Sequence, residues 1–189
     1  VSTNSNRILV AGDAHLYLAA VGTTMPSNAT SAPSAASALW TEVGLFTQDS
    51  LQFVTDPSFE EVKSHQSFYA TRTIQTGDTA HLAVELQEWS TANFKAVYGG
   101  GTVTNPSGGV YKFVPPAPGS RSETAALLDI TDGSKHYRLC LPRTAQREGV
   151  GLDLHKGNEA VLALNLGVLD PGTGIDPWFW LTDDSAFTP

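Results

Sequence analysis

His81–Gly101 reads HLAVELQEWSTANFKAVYGGG. Its first half alternates. Leu82, Val84 and Leu86 share one face and His81, Glu85 and Gln87 the other, the period-two pattern of a half-buried strand. Ser90 or Thr91 can then accept a hydrogen bond from a free backbone N–H and start a helix. Phe94, Val97 and Tyr98 recur at helical spacing and can pack on a sheet. Gly99 can take the left-handed conformation that ends the helix, and the next two glycines read as a flexible exit. So short a helix is marginal alone in water, so a sheet must hold it. The glycines do not make a phosphate loop, because no lysine follows and they close a helix instead of opening one.

The same alternation recurs along the chain. In Asp13–Val21, Leu16, Leu18 and Ala20 oppose His15, Tyr17 and Ala19. In Lys135–Arg143, Tyr137, Leu139 and Leu141 oppose His136, Arg138 and Cys140, and Leu162, Leu164, Leu166 and Val168 line one face. Further strands are predicted at Leu51–Val54, Phe68–Ile74, Val110–Val114 and Ala126–Ile130. Thr76–Asp78 and Thr131–Lys135 read as tight hairpin turns, and residues 22–38 as a surface loop. Asn105–Gly109 and Pro115–Ser120 are turns or linkers. Asp56–Thr71 reads as a connection of about 16 residues, long against the roughly 4–6 usual in a compact domain. The expected fold is mainly β, an antiparallel β-sandwich or barrel with one short flanking α-helix. It forms one domain over 1–189, with an N-terminal arm at about 1–12 and a C-terminal arm at about 171–189.

The chain has 189 residues, 41% of them hydrophobic and 16% charged, with a net charge of −8. A domain of this size buries roughly 70% of its unfolded surface. The acidic balance argues against a surface that grips nucleic acid, yet it suits a wall that nucleic acid slides past. Cys140 is the single cysteine, so there is no internal disulfide framework. Ala160–Leu169, AVLALNLGVL, falls short of the ~18 apolar residues of a membrane helix. The apolar run near the start is shorter than a signal-peptide core, so no targeting segment is expected.

Catalytic constellations do not emerge. There is no G-x-S-x-G elbow, and Cys140 sits in a strand pattern as a small apolar group. His15, His65, His81, His136 and His155 are scattered, without metal-ligand spacing. Glu60 with Glu61, and Glu85 with Glu88, are the carboxylate pairs a glycosidase would need. The first pair are sequence neighbours in a polar stretch. The second has odd spacing on a strand, which points the side chains to opposite faces unless a bulge intervenes. Asp170–Asp176, DPGTGID, lacks the regular oxygen ligands of a calcium loop. No catalytic residue, metal or cofactor is expected.

His15–Gly101 resembles the major tail protein, or tail tube protein, of long-tailed siphophages, especially those of mycobacteria and related actinobacteria. The likeness is carried by HLYLAAVGTTMP, then LWTEVGLFTQDSLQF with Trp40 and Gly44. EEVKSHQSFYATRTIQTG follows, with Glu61, Gln66, Ser67, Arg72 and Gly77, and then LAVELQEW…FKAVYGGG with Glu88, Trp89 and the glycines. These ordered motifs span about half the chain, and residues 102–123 match no part of the pattern. The resemblance implies a non-enzymatic virion protein, assembled in the host cytoplasm into stacked hexameric rings. The rings form the tail tube around the tape-measure protein, meet the tail terminator and the baseplate or distal tail proteins, and later conduct genomic DNA. No membrane partner is implied.

A strand-rich subunit has unpaired sheet edges, and ring closure removes them. On this reading Asp56, Phe59, Glu60, Glu61, His65 and Tyr69 are expected at subunit contacts. Trp178 and Trp180 are expected either in a last strand sealing the core or in an arm docked on a neighbour. Glu85 is expected to face the lumen. The alternative is a non-enzymatic β-sandwich module that binds carbohydrate or a virion or host surface, with Trp178 and Trp180 as a stacking platform. A β-sandwich hydrolase using Glu85 or Glu88 is a third reading.

Overall fold

A computed structural model describes residues 8–33, 39–152, 154, 156–157 and 159–188. His155 and residues 1–7 of the expected N-terminal arm lie outside the described residues. The strands are β1 (Asp13–Ala20), β2 (Thr41–Glu42), β3 (Gln52–Lys63) and β4 (Ala70–Leu86), then helix α1 (Thr91–Tyr98). After the helix come β5 (Thr102–Ser107), β6 (Val110–Val114), β7 (Thr124–Asp132), β8 (Lys135–Gln146), β9 (Leu162–Val168) and β10 (Phe179–Thr182). The main sheet is antiparallel, in the order β2-β1-β7-β8-β9-β4-β3, and β10 also pairs with β8. It does not close into a barrel. β5 and β6 form a separate two-stranded sheet.

β8 makes the corner of the sandwich. Tyr137–Cys140 pair with β10, whereas Thr144–Gln146 pair with β9. Pro142 falls between, where β7 also carries a bulge between Thr124 and Ala126. Proline has no N–H to give a ladder, so it belongs at a break of this kind. The change of partner folds one half of the sheet over the other. Leu16, Ala126, Leu128, Ile130, Leu139 and Leu141 meet Leu82, Val84, Leu86, Leu162, Leu164 and Leu166 in one core. Each buried leucine contributes roughly 1.5–3 kcal/mol of transfer free energy. The alternation read in β1, β4, β8 and β9 put these residues inward, as found.

β7 reads as a nearly continuous apolar run because both its faces are covered. Leu127 and Ala125 turn away from the main core into a second cluster with Ala19, Trp40 and Cys140. Met25, Phe179 and Leu181 pack over it. Burial pushes the Cys140 thiol up to about 12, against a smaller opposing effect of Arg138, so the cysteine is an inert apolar filler.

On this outer face Arg138 is 1% exposed. Its Nε and Nη2 donate to Asp129 at 2.5 and 2.7 Å. Nη1 and Nη2 also donate to the carbonyls of Asn28 and Ser31, at 2.7 and 2.8 Å, which holds the β1–β2 loop against the sheet.

The His81–Gly101 stretch folds as a strand, a cap and a helix. Ser90 accepts the Asn93 N–H at 3.1 Å, and Gly99 ends the helix with φ 70°. Val97 is buried in the core, while Phe94 and Tyr98 stack together against Phe113. The glycines after the helix are not a flexible exit. Gly101 has φ 114°, and a Cβ there would lie 2.6 Å from the Val114 carbonyl oxygen. The Ser122 N–H donates to the Gly99 carbonyl at 2.8 Å. The run is a packed crossing, needed because β6 returns directly beneath it.

Two readings fail in one place. Thr76–Asp78 is not a turn, because β4 runs unbroken through it. Gly77 pairs with Ser58 and Gln75 with Phe59, so Thr76 is the extra residue of a bulge, which carries a turn-like signature within a strand. Asp56–Thr71 is not one long connection either. Asp56–Lys63 belong to β3, only 64–69 turn, and β4 begins at Ala70, later than the strand start read at Phe68. The strand continues well past Val54, where the sequence pattern stops. Beyond that point neither face is buried, so no apolar alternation marks it.

Candidate assembly surfaces

β3 and β4 leave the sandwich together. β9 pairs with β4 only over His81–Leu86. Among the described residues β4 has β3 alone from Ala80 outward, and β3 has no other partner along its length. Nearly every residue from Val54 to Thr79 is exposed. A two-stranded ribbon of this kind is at best marginally stable in water, and both its edges present unpaired N–H and C=O groups.

The arm is also apolar where it is bare. Phe68 and Tyr69 at the tip are 105% and 85% exposed, and Phe59, Val62 and Ile74 are exposed along the strands. Strand alternation and the pairing place Asp56, Glu60, Val62, Arg72 and Ile74 on one face. Phe59, Glu61 and Lys63 lie on the other, where Lys63 Nζ is 3.4 Å from Glu61. The tip satisfies itself through hydroxyls. Ser67 Oγ donates to the Tyr69 carbonyl at 3.0 Å, and the Tyr69 N–H donates back to Ser67 Oγ at 3.2 Å.

Asp56, Phe59, Glu60, Glu61, His65 and Tyr69 therefore fall on one projecting arm. Sequence reasoning missed Val62, Phe68, Arg72 and Ile74 on the same arm. The available signal was apolar residues scattered without period through a polar stretch that still joins two strands.

Trp178 and Trp180 sit apart from the tip. Trp178 packs edge-on to Phe53 at 5.4 Å, at the base of the arm, and Trp180 lies in β10 opposite Leu139. Both are partly exposed. Carboxylates fasten the chain beyond β10. Asp183 accepts from the His136 N–H and lies 2.8 Å from His136 Nδ1. Asp184 accepts from Lys135 at 2.8 Å, Tyr137 at 2.6 Å and the Ala186 N–H at 2.9 Å. These bonds hold the Asp184 carboxyl well below the usual carboxylate range, Lys135 contributing most, then Tyr137. The Tyr137 phenol is pushed up to about 12, chiefly by the same bond to Asp184.

The members of the Glu85 and Glu88 pair have different surroundings. Glu85 is exposed on the outer face of β4. The Glu88 carboxylate accepts the Leu45 N–H at 2.9 Å and fills the space left by Gly44, where a Cβ would lie 2.3 Å from it. Asn93, which is buried, donates to the Val43 and Glu88 carbonyls at 2.8 Å each. Trp89 Nε1 donates to the Ala160 carbonyl at 2.7 Å. The motif residues Gly44, Glu88 and Trp89 thus lock the β2–β3 connection and the start of α1 to the sandwich.

His15 is tied to Glu42 and Asp13, at 2.5 and 3.2 Å, and these acids raise its pKa, Glu42 most strongly, against the effect of burial. Among the described residues no group of three His, Cys, Asp or Glu side chains could hold a metal ion. No helix among them is long and apolar enough to cross a membrane.

A β-sandwich with a bare two-stranded arm and open strand edges presents surfaces of the kind that another protein chain covers. The chain belongs to the phage tail tube protein family, whose model matches residues 1–189. It is a structural component of the phage tail, a major tail protein. No curated protein matches it.

Proposed function

We propose that this subunit assembles into stacked hexameric rings that form the tail tube of a siphophage and conduct genomic DNA into the host. The observation that carries the proposal is the β3–β4 arm. It has open edges, two bare faces and an aromatic tip, all of which a neighbouring copy would cover. Asp56, Phe59, Glu60, Glu61, His65 and Tyr69 make those contacts, and Trp178 and Trp180 add to them from the base of the arm and β10. The outer face of β4, with Glu85, turns to the lumen.

An acidic wall suits that task, because each phosphate that met a cation would release counterions and gain binding free energy. The tube encloses the tape-measure protein during assembly in the host cytoplasm, and its ends meet the terminator and the baseplate or distal tail proteins. No catalysis is involved. The packing of Trp178 against Phe53 disfavours a free carbohydrate-stacking platform.

Size-exclusion chromatography with negative-stain electron microscopy of the purified chain tests the reading. Rings or tubes are expected. A monomer at all concentrations that shifts on adding saccharide would replace this proposal with the binding-module reading.

A further inference from the structure

A groove of about 620 Å³ opens where α1 faces the end of β1 and β2, with the start of β7 on one side. Leu18, Leu39, Val43, Ala92 and Ala96 line it. Glu42 and Glu123 reach it but are engaged elsewhere, Glu42 with His15 and Glu123 with Arg143. What stays open is apolar, and Leu39 on its wall is 66% exposed. A recess of this size falls in the roughly 300–1,000 Å³ range of clefts that enclose a ligand.

The tip of the arm has the matching chemistry. Phe68 and Tyr69 are the two most exposed large apolar side chains among the described residues, adjacent in sequence at the turn of the ribbon. Other bare rings are placed differently. Tyr111 lies on the short β5–β6 hairpin, and Phe187 packs edge-on to Tyr137. Two buried rings remove about 300–500 Å² from water, at about 150–250 Å² each. That is short of the roughly 800 Å² per partner of a stable contact, so the ribbon behind the tip has to be covered with it. Its bare strands supply that area.

Tip and groove belong to opposite ends of one strand. Phe68 and Tyr69 precede the first residue of β4, whereas α1 follows its last. Asn93, on the groove wall, donates to the Glu88 carbonyl just beyond Leu86. The 17 residues of β4 rise about 3.3 Å each, or roughly 55 Å in all, too far for a tip to fill the groove of its own chain. Joining one end of a subunit to the opposite end of the next is a heterologous contact, which propagates as a ring or a filament instead of stopping at a dimer.

We propose that the groove beside α1 receives Phe68 and Tyr69 from the arm of a second copy. The proposal rests on the self-assembly reading and names the surface that the arm tip covers. Aromatic anchors seated in a desolvated pocket carry most of the energy of such a contact. Lys95, also on the wall, can lie over a ring or donate to the Tyr69 phenol oxygen.

Phe68→Asp and Ala92→Trp test the two halves in the full-length chain. Both positions are exposed, so the subunits should keep the wild-type melting temperature. Each change should raise the critical concentration for tube formation by about tenfold or more, the effect of losing an anchor. A benzophenone analogue of phenylalanine at position 68 then locates the tip. Irradiated in tubes assembled from mixed heavy-isotope and ordinary chains, it should cross-link to segment 39–43 or 92–96 of another copy, read by mass spectrometry. The same analogue at position 111 should not reach that groove. If Ala92→Trp lowers the melting temperature, the cross-link decides. Normal tube formation by either variant, cross-links from position 68 confined to other segments, or a groove cross-link from position 111 in its place would each overturn the proposal and leave self-assembly standing. A wild-type chain that never assembles would sink the assembly reading and this contact with it.

Discussion

Replacing Arg138 with alanine should unfold a large part of the outer layer. The guanidinium is 1% exposed and makes four hydrogen bonds, two to Asp129 and one each to the carbonyls of Asn28 and Ser31. Its loss strands the Asp129 carboxylate, releases the β1–β2 loop and leaves a cavity. Breaking a buried ion pair by removing one partner costs about 3–5 kcal/mol. Asp129 keeps 19% of its side chain exposed, so water recovers part of its hydration and pulls the cost toward the lower end. The two freed carbonyls, at about 0.5–1.5 kcal/mol for each lost bond, push it back up.

The expected loss is about 4 kcal/mol. At roughly 2–4 °C per kcal/mol for a domain of this length, the melting temperature falls by about 8–16 °C. The assay is urea unfolding of the soluble subunit, followed by circular dichroism, with a double-mutant cycle on Asp129→Leu and Arg138→Met. Removing both charges should cost less than Arg138→Ala alone, because an apolar pair leaves no stranded ion. A loss below about 1 kcal/mol for Arg138→Ala would refute the view that this pair anchors the loop.

Other perturbations have equally defined outcomes. Gly101→Ala places a Cβ against the Val114 carbonyl at φ 114° and should cost about 1–3 kcal/mol in urea unfolding; a neutral effect would mean the crossing is loose. The Asp184 carboxyl is depressed on folding, so its stabilisation is present above the ordinary carboxylate pKa of about 3.9 and is lost as pH falls below it. Protection factors at Phe179–Thr182, corrected for the intrinsic slowing of exchange in acid, should accordingly hold above about pH 4 and fall progressively below it, toward the depressed folded pKa, and unchanged protection would contradict it. Excising 60–74 and joining Phe59 to Gln75 through a two-residue turn should leave a folded subunit that no longer polymerises, and normal tubes would count against the arm. Glu85→Lys should slow DNA ejection from assembled particles, with relief by added salt; normal ejection would move Glu85 off the channel wall, and failed assembly would make it a contact residue.

The sandwich was legible wherever one face meets the core. The alternations around Leu16 on β1, Leu82, Val84 and Leu86 on β4, Leu139 on β8 and Leu164 on β9 are direct records of burial, and each points inward as read. The cap at Ser90 and the stop at Gly99 were legible because local backbone chemistry specifies them. The arm was not, since Val54–Thr79 has no buried face to impose a period and Thr76 inserts a bulge beside Gly77. Six expected contact residues still fell on it, because the resemblance and the unusual length of the segment pointed there. The tight crossing at Gly101 depends on where β6 returns, a tertiary fact absent from the local sequence.

The most direct measurement is an electron-microscopy reconstruction of particles assembled from the purified chain. The account predicts stacked sixfold rings in which Phe59–Ile74 of every subunit is buried against neighbouring copies. Rings of this chain with that arm left bare in solvent, or no ordered assembly at all, would contradict it.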